Sequence, residues 1–199
     1  MMVDPETIAI YDTAAGEYAS KFTKSGPDAQ LTAFMDLLPA GGSVLDLGCG
    51  PATASAHMRA AGFLCDPVDA SDGMIKIAND LHAIGARKLT FDDIDMVAAY
   101  DGVWANFSLL HAARADLPRH FAAIATALRD NGIFSVAMKT GSNAARDRLG
   151  RMYTYVTISE LSDLLTNAGF SILGNRKLCN HQTHLPKNKT SRSKTRSTT

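Results

Sequence analysis

Two hydrophobic periods alternate along the chain. Between residues 6 and 22, Ile8, Tyr11, Ala15, Tyr18 and Phe22 step by three and four, which gathers them on one face and predicts a helix. A Ser25–Gly26–Pro27 turn interrupts it. Asp28 is placed to cap a second helix, in which Leu31, Phe34, Met35 and Leu38 share a face, and Pro39 with Gly41–Gly42 ends it. From there, short apolar runs and helical stretches take turns. Strands are predicted over 43–47, 63–68, 89–91, 102–108, 133–138 and 170–173. Helices are predicted over 52–61, from a Ser71 cap through Leu81, over 117–128, and from a Thr157/Glu160 capping box to Gly169. Such alternation predicts an α/β domain built on a mostly parallel sheet with helices on both faces.

In sheets of this kind, ligands sit at the carboxyl ends of the strands near the switch in strand order. The stretches to inspect are therefore Asp46 to Pro51, Asp69 to Ser71, Asp92–Asp93, Asn106 to His111 and Lys139 to Gly141. The first lies in VLDLGCGPATAS, residues 44–55. Gly48 and Gly50 match the first two places of the dinucleotide fingerprint, but the third holds Thr53. Pro51 withholds a backbone N–H that a phosphate would use. Asp46 stands beside the turn, and a like-charge contact at about 4 Å costs roughly 4 kcal/mol at an effective dielectric near 20. No Gly-Lys-Ser/Thr follows, so a P-loop is excluded. These residues favour a cationic ligand. S-adenosylmethionine, with an ammonium, a sulfonium and no phosphate, suits them better than NAD or ATP. Asp69 lies about 20 residues beyond the glycines, where an acid accepts ribose hydroxyls, and Asp92 or Asp93 is placed to accept from an adenine amine.

Composition narrows the setting. The 199 residues, 46% apolar and 20% charged, suit one globular domain. No run approaches the roughly 18 apolar residues a membrane helix needs, and Asp4 and Glu6 stand where a secretory signal would be basic. A cytoplasmic protein without a membrane partner is expected. Three cysteines with no CxxC pair imply neither a disulfide framework nor a metal site. All 20 acids precede residue 174, while 174–199 carry seven Lys/Arg. That composition predicts a basic, disordered tail; its Cys179, His181 and His184 match no ordinary zinc spacing.

Together, Asp46-x-Gly48-x-Gly50, Val68-Asp69-Ala70-Ser71 with Met74, and Asp101-x-x-Trp104-Ala105-Asn106 before Leu109-Leu110-His111 resemble the successive motifs of class I S-adenosylmethionine-dependent methyltransferases. The segment YDTAAGEYA, residues 11–19, resembles the helix that caps the cofactor in small-molecule members. The resemblance implies a Rossmann-like methyltransferase domain over 1–173, with cap helices at about 6–38. It implies that Asp46, Gly48, Cys49 and Gly50 line the methionine part of S-adenosylmethionine, that Asp69 holds the ribose, that Ala70 and Met74 flank the adenine with Asp93 and Ile94 at its edge, and that Asn106 lies near the sulfonium. The family often has a glycine where this chain has Ala52, which fits if its φ is negative. Pro67 removes a ladder hydrogen bond inside the second strand. The family's closing seventh strand has no counterpart after Leu173, so it is expected to be missing or altered, by replacement of the C-terminal sequence, leaving an open sheet edge.

Methyl transfer is an in-line displacement in which positioning supplies much of the rate, and a base is needed only if the acceptor must lose a proton early. His111, after the fourth strand, is the candidate base; its alternative is to orient substrate. His57 and His82 read as surface or packing residues. In Lys139 to Tyr155, Arg146, Arg151 and Tyr153 are candidates to hold an anionic or aromatic acceptor, with Tyr11 and Tyr18 contributing from the cap helix. The expected acceptor is a small molecule methylated on oxygen or nitrogen, and the expected state a monomer or weak dimer. Two alternatives stand beside this reading: an RNA or protein methyltransferase using the tail, although the body lacks a basic stripe for nucleic acid, and a cofactor-binding protein of the same fold without turnover.

Overall fold

The computed structural model describes residues 4–22 and 26–174, the side chains of 17–22 excepted. Strand β1 (Ser43–Leu47) is central in a parallel five-stranded sheet, which explains why it is apolar on both faces: Val44, Leu45 and Leu47 have no exposed surface. The order is β3–β2–β1–β4–β5, with β2 Leu64–Asp69, β3 Arg87–Lys88, β4 Tyr100–Asn106 and β5 Leu128–Ala137. Side chains alternate between two cores. Leu45, Leu47, Val103 and Ala105 meet Phe121 and Ile124 of α5 (Leu117–Ala127) and the leucines of α6 (Ile158–Asn167). Val44 and Trp104 meet Leu31 and Phe34 of α2 (Ala29–Met35) and Met58 of α3 (Thr53–Ala60). Helix α4 (Asp72–His82) lies beside α3 through Ala78 and Ala52, and α1 (Pro5–Phe22) lies over α4. The order reverses between β1 and β4, so the loops after those strands diverge and leave a crevice.

The predicted caps form. Asp28 accepts from the amides of Gln30 and Leu31, Ser71 accepts from Met74, and Thr157 exchanges hydrogen bonds with Glu160. Thr157→Ala leaves the Glu160 amide without its partner at the start of α6 and is expected to cost about 1 kcal/mol. A lower urea midpoint at unchanged slope measures it; an unchanged midpoint shows that the cap contributes nothing.

Several expectations need correction. The third strand is Arg87–Lys88 instead of 89–91, because Thr90 and Asp93 cap each other and wind Phe91–Asp93 into a 3₁₀ turn. Leu89 and Phe91 are apolar because they pack in the core; of the two, the Leu89 amide alone continues the ladder, to the Asp69 carbonyl at 3.0 Å. β4 stops at Asn106, where Phe107 turns to φ +56. The Asn131–Gly132 turn is absorbed into β5 as a bulge: the register jumps from Tyr100↔Leu128 to Gly102↔Ile133. Residues 170–173 form no strand; Phe170 stacks on Phe134, 5.2 Å between centroids, while its backbone joins no ladder. Among the described residues β5 therefore pairs on one side only. Ala52 takes φ +58, not a negative value, and carries the left-handed cost a glycine would avoid. Pro67 costs little. The carbonyl of Val68 accepts from Gly48 and Cys49 on the β1 side, so Pro67 faces the β3 side, where pairing begins only at Val68. The stretch after β5 holds an unexpected antiparallel hairpin, β6 (Ala144–Arg146) with β7 (Met152–Thr154). The tail from residue 175, with its Cys179, His181 and His184 and any altered seventh strand, lies outside the described residues. No described helix is long and apolar enough to cross a membrane.

Candidate active site

A cavity of about 250 Å³ occupies the crevice between the ends of β1 and β4. Eight of the residues expected there line it: Asp46, Gly48, Cys49, Gly50, Asp69, Ala70, Met74 and Asn106. Gly48 turns the chain at φ +74, and a Cβ there would lie 2.3 Å from Cβ of Ser108, so only glycine lets the two strand ends approach. Asp69 ties the next two loops together, accepting from the amides of Gly50 at 2.8 Å and Ser71 at 2.9 Å. Asp46 is buried and accepts the hydroxyl of Ser55 at 2.7 Å. Burial, helped by the charge of Asp69 and opposed by Ser55, pushes its carboxyl up to about 7. Burial raises Asp69 as well, against the pull of its amide donors. The thiol of Cys49, raised by burial and by both carboxylates, is a small filler rather than a nucleophile. Among the described residues the wall thus holds three carboxyl groups, Asp28, Asp46 and Asp69, and no Lys or Arg.

Asp93 and Ile94 are elsewhere. The exposed Asp93 carboxylate is spent on Thr90, whose hydroxyl and amide hold it below the usual carboxylate range, and Ile94 is packed in the core. Leu89 and Phe91 take the expected place in the wall.

Helix α1 closes one side. Asp12 accepts from the Ser71 hydroxyl at 2.6 Å and the Gly73 amide at 3.0 Å; a Cβ on Gly73 would lie 2.7 Å from the Asp12 carbonyl oxygen. This seat puts Tyr11 in the wall beside His111. Their Oη and Nε2 are 2.9 Å apart, while His111 Nδ1 is 2.7 Å from the carbonyl oxygen of Met152. Burial first, then Arg151 and Lys139, push His111 down to about 4 against the Met152 bond and Asp147, so the ring is neutral near pH 7. Arg151, held by Asp147 at 2.6 Å, donates to Tyr11 Oη at 3.2 Å; Tyr153 stacks on His111 at 4.9 Å and receives Lys139 over its ring at 3.6 Å. Arg151 and Tyr153 stand behind the wall, not in it. Arg146 is farther off, paired with Asp4 and Glu6 of the chain start, where with the Met152 amide on Thr7 Oγ1 it fastens the hairpin to α1. The backbone of Tyr18 lies in α1, and its side chain lies outside the described residues.

Other wall residues carried little signal of their own. Thr7 and Ile8 enter because α1 runs over the crevice, and Leu31 and Trp104 because they close its floor. His57 lines the cavity instead of merely packing, and its Nε2, like Ser108 Oγ, is buried without a partner among the described residues. Phe107 lines it with 40% of its surface exposed and its backbone left-handed, a costly state for a bulky residue.

A family model described as a methyltransferase domain matches residues 19–174. No curated protein matches significantly. Many solved structures share the fold. The Burkholderia thailandensis 1,6-didemethyltoxoflavin-N1-methyltransferase, solved with 1,6-didemethyltoxoflavin and S-adenosylhomocysteine, is 19% identical over 82% of this chain and 76% of its own, with a TM-score of 0.64. A possible histamine N-methyltransferase from Thermotoga maritima is 18% identical over 83% of this chain and 82% of its own, at 0.62. The [4+2]-cyclase SpnF is 19% identical over 83% of this chain and 72% of its own, at 0.63. At such identities the likeness establishes the fold, and the chemistry has to be argued from the site.

Proposed function

Because the chain belongs to the methyltransferase-domain family, we infer that it transfers the methyl group of S-adenosylmethionine to oxygen or nitrogen of a small molecule. One observation carries the choice of cofactor: among the described residues, a wall with carboxyl groups at Asp46 and Asp69 and no Lys or Arg. A pyrophosphate finds no cationic side chain there, whereas a ligand with two cationic centres draws the carboxyls into their charged form and its ribose diol finds an acceptor. Asp46, Gly48 and Gly50 would hold the methionine end, Asp69 the ribose, and Ala70 and Met74 the adenine, with Leu89 and Phe91 in place of Asp93 and Ile94. Asn106 would stand near the sulfonium. When bound, the cofactor supplies a methyl group already activated on sulfur. The chain's own part is to orient the acceptor in line, to exclude water beneath α1, and to offer His111 as a neutral base. The enclosed wall favours a small acceptor.

Calorimetry on the intact chain tests this reading. S-adenosylmethionine and S-adenosylhomocysteine are expected to bind with micromolar affinity, on the order of −8 kcal/mol, and NAD not to bind. Binding of NAD alone, or of none of the three, would sink it.

A further inference from the structure

We propose that the acceptor's proton leaves through Tyr11 to His111, and that the acceptor is an aromatic molecule with an acidic hydroxyl, of phenol type. The proposal rests on the methyltransferase reading and adds the proton path and the acceptor class. The path follows from a tautomer. The carbonyl of Met152 accepts only, so the nitrogen 2.7 Å from it, Nδ1, carries the ring proton. Nε2 then holds the sole basic lone pair of His111, and Tyr11 Oη, 2.9 Å away, donates to it. The base is thus covered by a hydroxyl that itself stands in the cavity wall. An acceptor bound against that oxygen reaches Nε2 through it, and Arg151 polarises it from 3.2 Å.

The protons and electrons balance as follows. The acceptor O–H gives its proton to Tyr11 Oη while the Tyr11 proton passes to His111 Nε2. The freed oxygen pair forms the bond to the methyl carbon, the C–S pair stays on sulfur as a thioether, and His111 later returns its proton to solvent.

The acceptor class follows from what surrounds the pair. Arg151, Lys139 and Asp147 face His111 from the loop and strand end behind it, with Tyr153 against its ring. Two cations against one carboxylate make the imidazole a reluctant base, and one held near 4 takes a proton readily only from an acidic group. The same cations favour negative charge at the acceptor oxygen. Phe107 supplies the platform: an aromatic ring 40% exposed in the wall, on a left-handed backbone whose N–H donates to the Ala137 carbonyl at 3.1 Å.

The experiment compares wild type and Tyr11→Phe with radiolabelled S-adenosylmethionine and three probes: phenol, 4-nitrophenol and benzyl alcohol. Wild type is expected to methylate both phenols and not the alcohol. In Tyr11→Phe, kcat on phenol should fall about 100-fold, with much less loss on 4-nitrophenol, which is already ionised at about pH 8. Calorimetry should find cofactor affinity within about threefold, as a relay defect requires. Equal losses on both phenols, or faster turnover in the variant, overturn the relay; turnover of benzyl alcohol but neither phenol overturns the acceptor class. A second readout needs no turnover. Nitrogen-15 NMR of the ligand-free protein should show His111 neutral and Nδ1–H between about pH 5 and 8, with the Nε2 signal displaced in Tyr11→Phe. The opposite tautomer, or a ring charged at pH 6, overturns the pair. If wild type binds no S-adenosylmethionine, the methyltransferase reading fails by itself, and the NMR result still decides whether Tyr11 and His111 are coupled.

Discussion

Asp46→Asn is expected to stabilise the ligand-free protein and to remove most of its affinity for S-adenosylmethionine. The Asp46 carboxyl sits at about 7 when folded, against an ordinary value of 3.8, so the folded state keeps a proton there that the unfolded chain has lost. Stability from this site is full below about pH 4. It is lost progressively as pH rises and reaches its floor above about 7. Asparagine keeps an oxygen for Ser55 and has no proton to lose. The variant's advantage should therefore be absent near pH 4 and largest near pH 8, with an upper bound of about 4 kcal/mol at 1.36 kcal/mol per pH unit. Cofactor binding should move oppositely. A cation beside Asp46 favours the charged form, so wild-type affinity should rise through pH 7 with release of a proton, while the variant stays weak and flat, by roughly 30- to 100-fold or 2–3 kcal/mol. Thermal melts at both pH values and calorimetry in buffers of different ionisation heat measure the two halves. A variant no more stable than wild type at pH 8 would show that Asp46 is not held protonated in the free protein.

Gly48→Ala is the second large effect. The new Cβ would lie 2.3 Å from Cβ of Ser108, at a φ of +74. The left-handed backbone alone costs about 1–2 kcal/mol for a residue with a Cβ, and forcing β1 and β4 apart at their ends should bring the total to about 3–4 kcal/mol. Adding Ser108→Gly removes the clashing atom and leaves the backbone cost. The double variant should recover about half of the loss in a urea titration. If Ser108→Gly brings no recovery, the strand ends are not held together at this contact.

The order of elements was legible because each amphipathic stretch has one period and one partner face. Leu45 and Leu47 against Val44 and Asp46, or Phe121 and Ile124 on α5, show their sides without reference to anything distant. The glycines and acids of the first two loops were legible for a related reason: the chain needs them within a few residues of each other. What failed depended on tertiary choices. Leu89 and Phe91 read as a strand because burial for packing and burial for pairing use the same residues. Arg146 read as an acceptor ligand because nothing local reveals that Asp4, far away in sequence, lies opposite it. The same distance hid the Tyr11–His111 contact, although both residues stood out singly. The hairpin in 144–154 is short and mostly polar, and its strands are defined by what they touch rather than by their own pattern.

The fastening of α1 bears on when the site comes into being. Asp4 meets Arg146 across 142 positions, Thr7 meets Met152 across 145, and Tyr11 meets His111 across 100. None of these closures is local, and each has to overcome the entropy of a long loop before it returns anything. The carboxylates of β1 and β2 are tied more locally: Asp69 meets Gly50 across 19 positions and Asp46 meets Ser55 across 9. The tyrosine that covers the base precedes it by 100 positions, and the base itself is seated on the hairpin through the Met152 carbonyl. The carboxylate side of this site is therefore closed by short loops and the proton side by long ones.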